Sequence, residues 1–413
     1  MTRPALRSLD DALPWLLAQA RVLTATQQVS TFEADGRVLA QAVISALQVP
    51  PQDNSSMDGY AVRAADCAQP GAVLRVTQRI PAGTYGTPLN QGEAGRIFTG
   101  APIPPGADAV VMQEDCEALG SDQVKVTQAV PLGQWIRRSG EDVTRGATVL
   151  TQGTRLTPAE LGLAASIGLA HLTVAPRPRV ALFSTGDELV MPGAVAPEAM
   201  APGAIYNSNR FFLRAMLQRL GCEVTDLGIV PDQREATVAA LRNAAAQHDL
   251  ILTSGGVSVG EEDHIKPAVE ALGELNLWQL AIKPGKPFAY GKVNREAQGS
   301  ACHFMGLPGN PVSSFVTFLL LVRPFVLALQ GATQTQVART EMTAHFDWPR
   351  ADKRREFLRV KRNAQGGLDL FPNQSSGVLT SAAWGDGVVD NPAGQTIAKG
   401  DTVRFVSFAE WLA

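Results

Sequence analysis

With 413 residues the chain exceeds one ordinary hydrophobic core, so a division into about two to four domains is expected. Its 45% apolar and 18% charged residues are those of a soluble globular protein, and a net charge of −3 leaves no electrostatic case for nucleic acid as a partner. Four scattered cysteines (Cys67, Cys116, Cys222, Cys302) and five histidines without ligand spacing exclude a disulfide framework and a zinc site, and a reducing compartment fits them best.

Met1 to Ala20 lacks the charged-then-apolar order of a signal peptide. Ser8 to Ala20 reads instead as a helix, with Ser8 as N-cap and Asp10 and Asp11 in the first turn. Gln48 to Tyr60 follows as a loop dense in turn formers; Asp53, Asn54, Ser55, Ser56 and Asp58 are more small polar groups than a simple connection needs. From Gly71 to about Val149 apolar and polar residues alternate between Gly and Pro punctuation, which predicts an all-β module. Within it, Thr99-Gly100-Ala101-Pro102 and Gly140-Glu141-Asp142 put a hydroxyl or a carboxylate at a turn tip. Thr157, Pro158 and Glu160 then form a capping box that opens a helix ending near Ile167, with Gly168 as its stop.

Pro176-Arg177-Pro178 reads as a linker, after which strand and helix patterns alternate. Strand Val180 to Ser184, helix Ser208 to Leu220, strand Glu223 to Val230, helix Glu235 to Gln247 and strand Leu250 to Thr253 predict a parallel α/β sheet. Asp232 and Glu235 fit a capping box, and His248 and His264 are expected to face solvent near helix ends. Val312 to Leu329 is apolar but interrupted by Arg323 and Pro324, which favours a buried helix over a membrane span. A second β-rich module follows, with Arg354 to Val360 as one strand and Gln374 to Gly377 as a turn. A cytoplasmic protein without a membrane partner is expected.

The chemistry concentrates at the strand ends. Ser254-Gly255-Gly256-Val257-Ser258 lies between an apolar strand and a helix start, an order that aims backbone N–H groups and a helix dipole at one point where an anion is stabilised. Gly186-Asp187-Glu188 closes an earlier strand, and Lys283-Pro284-Gly285-Lys286-Pro287 and Leu307-Pro308-Gly309-Asn310-Pro311 follow later ones. Ligands in such sheets bind beyond the C-terminal strand ends. Lys283 and Lys286, on a loop stiffened by proline, supply positive charge, and Glu188 sits where a carboxylate has no packing role.

Taken together with Asp53 to Ala61, Gly106 to Val111, Ile205-Tyr206-Asn207-Ser208-Asn209 and Val312-Ser313, these segments resemble the molybdopterin molybdenumtransferase family, the MoeA type that includes the C-terminal part of gephyrin. They occur in the family's order over nearly the whole chain. The resemblance implies a multidomain α/β and β fold: a central molybdopterin-binding, MogA-like parallel α/β domain at 179–329, an N-terminal helical and β part at 1–178 with the β module inserted at about 49–149, and a C-terminal β domain at 330–413. It implies insertion of molybdate into adenylylated molybdopterin with release of AMP and dependence on Mg²⁺, by a homodimer whose cleft includes the partner's Asp53 to Tyr60 loop. Other molybdenum cofactor biosynthesis proteins would be further partners.

Carried over position by position, the resemblance ties Asp58, Thr99, Asp142, Glu188 and Asp263 to catalysis. It ties Ser254, Gly255, Gly256, Ser258, Lys283, Lys286, Pro287, Pro308, Asn310, Ser313, Arg355 and Ser376 to substrate, and Glu188, Asp232 and Asp263 to the metal. Mg²⁺ prefers one or two protein carboxylates with phosphate oxygens and water. Two other readings stay open: an adenylyltransferase acting on molybdopterin, which the two β modules argue against, and a gephyrin-like scaffold, which would leave the polar loops free to decay.

Overall fold

The computed structural model describes residues 6–256, 264–295 and 301–413. The first helix forms over Leu9–Leu17, ending short of Ala20; Ser8 Oγ accepts from the Asp11 amide at 3.0 Å and the two acids occupy the first turn. Gln27–Ser30 pairs with His171–Val174, and Val43–Ile44 with Thr148–Leu150, so the two ends of the N-terminal part share one core around Leu39, Leu156 and Leu172. The capping box is present at Thr157, whose amide donates to Glu160 Oε2 at 2.9 Å, and the helix Pro158–Ser166 is followed by Gly168 at φ +81°.

Between those two ends sits a six-stranded sheet in the order Ala109–Met112, Gly59–Val62, Glu93–Ile97, Val73–Ile80, Gln123–Val126, Cys116–Leu119. Two expected limits move. Gly59 and Tyr60 belong to a strand paired on both sides, so the polar loop closes at Asp58. Thr148–Leu150 belongs to the other core, so the inserted sheet ends before Val149.

The α/β unit contains strands β1 (Arg179–Thr185), β2 (Glu223–Val230), β3 (Leu250–Ser254), β4 (Gly273–Gln279), β5 (Pro287–Asn294) and β6 (Ala301–Leu307), in the spatial order β2-β1-β3-β6-β5-β4. Its helices are α1 (Asn209–Arg219), α2 (Arg234–Gln247), α3 (Ile265–Leu272) and α4 (Pro311–Leu329). The parallel arrangement holds for β2, β1, β3 and β6, but β5 runs antiparallel to both neighbours, so the sheet is mixed. Short connections on either side of β5 explain this, since antiparallel neighbours need no helical crossover. The expected cap at Asp232 is displaced: Gln233 holds the N-cap position of α2 and supplies no side-chain bond.

Helix α4 has the length and hydropathy of a membrane span, yet 89% of its apolar window is buried inside the protein. It is wound as a π-helix over Phe318–Val322, just ahead of Pro324. Arg323 is buried with its guanidinium donating to the carbonyls of Trp411 and Thr335, which satisfies its N–H donors, while burial lowers its pKa to about 10. A C-terminal sheet follows, built on Arg355–Arg362 and Gly387–Asn391, and it takes Ile282–Lys283 from the α/β unit as its edge strand. His248 is buried rather than solvent-facing: its ring sits between the Ala244 carbonyl and Thr225 Oγ1. All four cysteines are free.

Under α4, His303 stacks edge-on against Phe325 and its Nδ1 lies 2.9 Å from the Tyr290 hydroxyl. Burial first, then the cations Lys292 and Arg295, push its imidazole from 6.5 down to about 4. The folded ring is therefore neutral while the unfolded chain takes up a proton below 6.5. Its contribution is complete above pH 6.5 and lost as pH falls toward 4, by about 2–3 kcal/mol. Denaturant unfolding across that interval should show the loss in the wild type and a flatter profile in His303→Gln; equal slopes would show that other groups carry it.

Candidate functional site

The strand ends lie level. Ser184 of β1 pairs with Ser254 of β3, Ser254 pairs with Leu307 of β6, and Thr185 pairs with Val230 of β2. The chain therefore leaves four adjacent parallel strands at one edge, delivering Glu188, Asp232, the Ser254 turn and the Pro308 turn to one side of the sheet. Polar backbone at that edge can be satisfied by a ligand, because the sheet's own hydrogen bonds have ended.

The turn after β3 has the geometry its glycines predict: Gly255 and Gly256 adopt φ +94° and +67°. A Cβ on Gly256 would approach Ile265 of α3 at 2.6 Å and Thr185 Oγ1 at 2.9 Å, so the turn is pressed against both β1 and α3. Gly255 N donates to the Leu307 carbonyl at 3.0 Å. Ser258 and Asp263 lie outside the described residues. After β6, Pro308 is buried, Asn310 is exposed at the N-cap of α4, and Ser313 is buried in its first turn. The positive end of that helix faces the same edge.

In the sequence Asn209 is one residue of a polar motif with no assigned role. The structure makes it the joint of the site. Its buried Nδ2 donates to Ser254 Oγ and to the Gly309 carbonyl, both at 2.7 Å, tying the β3 and β6 turns together. Its Oδ1, together with Ser184 Oγ and Asn207 Nδ2, has no protein partner among the described residues, so polar atoms remain to meet a bound molecule. An asparagine pair flanking Ser208 just before a helix was the available signal.

The Lys283–Pro287 loop closes one side. It packs so tightly on α4 that a Cβ at Gly285 would meet Thr317 Oγ1 at 2.4 Å. The two lysines on it are not equivalent. Lys283 Nζ lies 3.0 Å from Glu356 and 3.3 Å from Asp352, and Glu356 is only 1% exposed, so this cation balances a buried charge. Lys286, half-buried, has no ion-pair partner among the described residues. Ser376 reaches the same region, its carbonyl accepting from Val312 N at 2.9 Å. Arg355 does not offer its charge there: its guanidinium is committed to Asp390, at 2.6 Å through Nη2, and to Asp10 at 2.9 Å.

A second polar surface forms in the N-terminal part. Thr99 gives both its amide and its hydroxyl to Asp58 Oδ1, at 2.8 and 2.7 Å, and these bonds, the amide foremost, hold that carboxyl below the usual range. Asp53 accepts from Ser139 N and Arg138, which joins this loop to the one bearing Asp142. Asp58 and Asp142 are exposed. Among the described residues, no hydrogen bond or ion pair links Asp58, Thr99 or Asp142 to the strand-end loops. The predicted residues thus fall into two groups: Glu188, Asp232, Ser254, Gly255, Gly256, Lys286, Pro287, Pro308, Asn310 and Ser313 around the sheet edge, and Asp58, Thr99 and Asp142 apart from it.

Three family models match successive stretches of the chain. Residues 7–168 match the MoeA N-terminal region (domain I and II), residues 181–328 a probable molybdopterin binding domain, and residues 341–408 the MoeA C-terminal region (domain IV). A molybdopterin molybdenumtransferase of Haemophilus influenzae is 44% identical over 79% of this chain and 78% of its own length. Molybdopterin molybdenumtransferase 2 of Mycobacterium tuberculosis is 38% identical over 87% and 89% respectively. A crystal structure of the molybdopterin biosynthesis moeA protein from Pyrococcus horikoshii superposes with a TM-score of 0.84 at 28% identity, covering 98% of this chain and all of that one. With relatives 38% and 44% identical over most of the chain and family models matching its three parts, the chain belongs to the molybdopterin molybdenumtransferase family.

Proposed function

We propose that this protein inserts molybdenum from molybdate into adenylylated molybdopterin and releases AMP, as a transferase of molybdenum cofactor biosynthesis. The observation that carries this reading is the convergence of anion-directed turns at one sheet edge, held together by Asn209, in a chain whose relatives bear that enzymatic name. The phosphate of the pterin would lie on the Ser254–Gly256 turn and at the start of α4, where backbone donors and the dipole stabilise it. Molybdate, a dianion and the second substrate, would meet Lys286, which among the described residues is engaged by no carboxylate. Cleavage of the phosphoanhydride, with water supplying the oxygen, would release AMP and leave the pterin's own phosphate on the Ser254–Gly256 turn.

Glu188 and Asp232 would hold Mg²⁺. They follow Thr185 and Val230, which are paired on adjacent strands, so two carboxylates leave the sheet side by side. Among the described residues no cluster of three or more acidic, histidine or cysteine side chains forms a complete cage. Two carboxylates with substrate oxygens and water are the mode Mg²⁺ favours. The ion would neutralise charge on the phosphate oxygens; Glu188 and Asp232 keep it there.

Incubation with adenylylated molybdopterin should yield AMP only when molybdate and a divalent ion are both supplied. ATP-dependent adenylylation of free molybdopterin by this chain would instead make it an adenylyltransferase.

Because Asp58, Thr99 and Asp142 form a surface of their own, the active unit is proposed to be a homodimer in which they complete the partner's cleft. Mixed Asp58→Ala and Glu188→Ala chains should then recover up to about a quarter of wild-type activity per site in a random mixture, since some dimers regain one intact site. No recovery, with exchange of chains verified, would place both residues in a site within one chain.

The two lysines should separate in their effects. Removing Lys283 leaves Glu356 buried without its cation, so Lys283→Ala should cost about 1–3 kcal/mol of stability. Lys286→Ala should change stability by less than about 0.5 kcal/mol while raising the apparent constant for molybdate about tenfold. Thermal unfolding and molybdate-dependent AMP release measure the two; the reverse pattern would exchange their roles.

A further inference from the structure

A cavity of about 500 Å³ opens at the junction of the N-terminal part, the linker, the α/β unit and the C-terminal residues. Its wall carries Arg37, Arg155, Arg177 and Arg219, with Asp35 as the carboxylate side chain among the lining residues. This volume is in the range of small-molecule sites.

Three of the arginines are held by backbone or amide oxygens, and Arg219 is exposed. Arg37, 5% exposed, donates to Gln27 Oε1 at 2.6 Å and to the Ala175 carbonyl at 2.7 Å. Arg155 donates to the carbonyls of Gly36 and Arg219 and to the backbone oxygen of Ala413; Arg177 donates to the Gly221 carbonyl at 3.2 Å. Among the described residues none of the four forms an ion pair with an aspartate or glutamate side chain. Glu223 acts on Arg37, and Asp35 on Arg155, through the field without a salt bridge. Burial works against the charge of Arg37 and of Arg155, and for Arg37 the charge of Arg177 adds to it. Buried charge of one sign is expensive unless a counter-charge accompanies it.

The junction is also remote from the cleft. Gly221 precedes β2 at the N-terminal edge of the sheet, whereas the cleft lies past the C-terminal edge; a strand of the length of β2 spans about 26 Å. No loop of the cleft lines the cavity.

We propose that this arginine-lined junction binds a small phosphate-bearing polyanion, separate from the substrates of the cleft. Guanidinium forks match phosphate oxygens bidentately, and four of them around one space fit a ligand with at least two negative charges. Because the wall is drawn from each part of the chain, the bound anion favours the arrangement in which those parts meet. It thereby couples its own concentration to the geometry of the protein.

Inorganic pyrophosphate is the probe, followed by isothermal titration and by thermal unfolding at fixed ionic strength on the full chain. Arg219→Gln is the first variant: its side chain is exposed, and Arg155 uses only its carbonyl, so the fold does not depend on the guanidinium. Arg177→Gln is the second. Each should weaken pyrophosphate binding about tenfold or more, the effect of losing one charge-assisted hydrogen bond. Lys286→Ala, which alters the cleft, should retain the binding. The proposal is overturned if wild type binds no pyrophosphate, if both arginine variants bind it unchanged, or if Lys286→Ala alone abolishes binding. An equal response to citrate would overturn the assignment to phosphate.

Discussion

The side-chain amide of Asn209 is the interaction on which the sheet edge depends. Two turns from strands far apart in sequence are pulled together by its two 2.7 Å hydrogen bonds, one to Ser254 Oγ and one to the Gly309 carbonyl. An amide suits this task because it offers two N–H donors from one rigid plane while keeping an acceptor for another partner. The helix that follows fixes the amide in turn, since Leu213, Met216 and Leu217 of α1 are buried in the core beneath the sheet. A polar joint of this kind is precise because its surroundings are packed. Without the buried α1 face, the same amide would exchange its partners for water.

Charge is distributed on the same logic. Where a cation serves the fold, it is matched: Lys283 faces Glu356 and Asp352, and Arg355 faces Asp390 and Asp10. The Lys283–Glu356 and Arg355–Asp10 pairs join the C-terminal sheet to the rest of the chain, so the edge strand Ile282–Lys283 is held to it by charge and backbone pairing and the helix Leu9–Leu17 by charge. Among the described residues, Lys286 and the arginines of the Arg37 cavity have no aspartate or glutamate side chain paired with them, and those arginines surround open space. Matched charges hold parts together, and unmatched ones are the places where an anion changes the energy.

Helix α4 shows how one element serves both ends of this arrangement. Its apolar surface is spent on the core, against Phe325's neighbours Tyr290 and His303 and against the C-terminal residues Phe408 and Trp411. Its first turn, beginning at Pro311, stays at the sheet edge and brings Asn310 and Ser313 with it. The π-helical turn at Phe318–Val322 lies between these roles and just before Pro324, whose ring removes a backbone donor.

Periodicity and turn chemistry were enough to place most of the strands and helices, because glycine, proline and capping residues act locally: Ser8, Thr157 with Glu160, and Gly255–Gly256 behave in the fold as their neighbours in sequence dictate. The order of motifs along the chain likewise carried the family. Local rules failed where a partner distant in sequence decides the outcome. Gly59–Tyr60 became a strand because Ile97 and Met112 pair with it from both sides, β5 reversed direction because short connections allow it, and His248 was buried by Thr225. The same holds for chemistry: nothing near Lys283 or Lys286 distinguishes them, and only the approach of Glu356, more than seventy residues away, commits one lysine to the fold. Residue type and spacing determine what a side chain can do, whereas tertiary packing decides which charges are already satisfied, since the energy of a charge is set by what surrounds it in space.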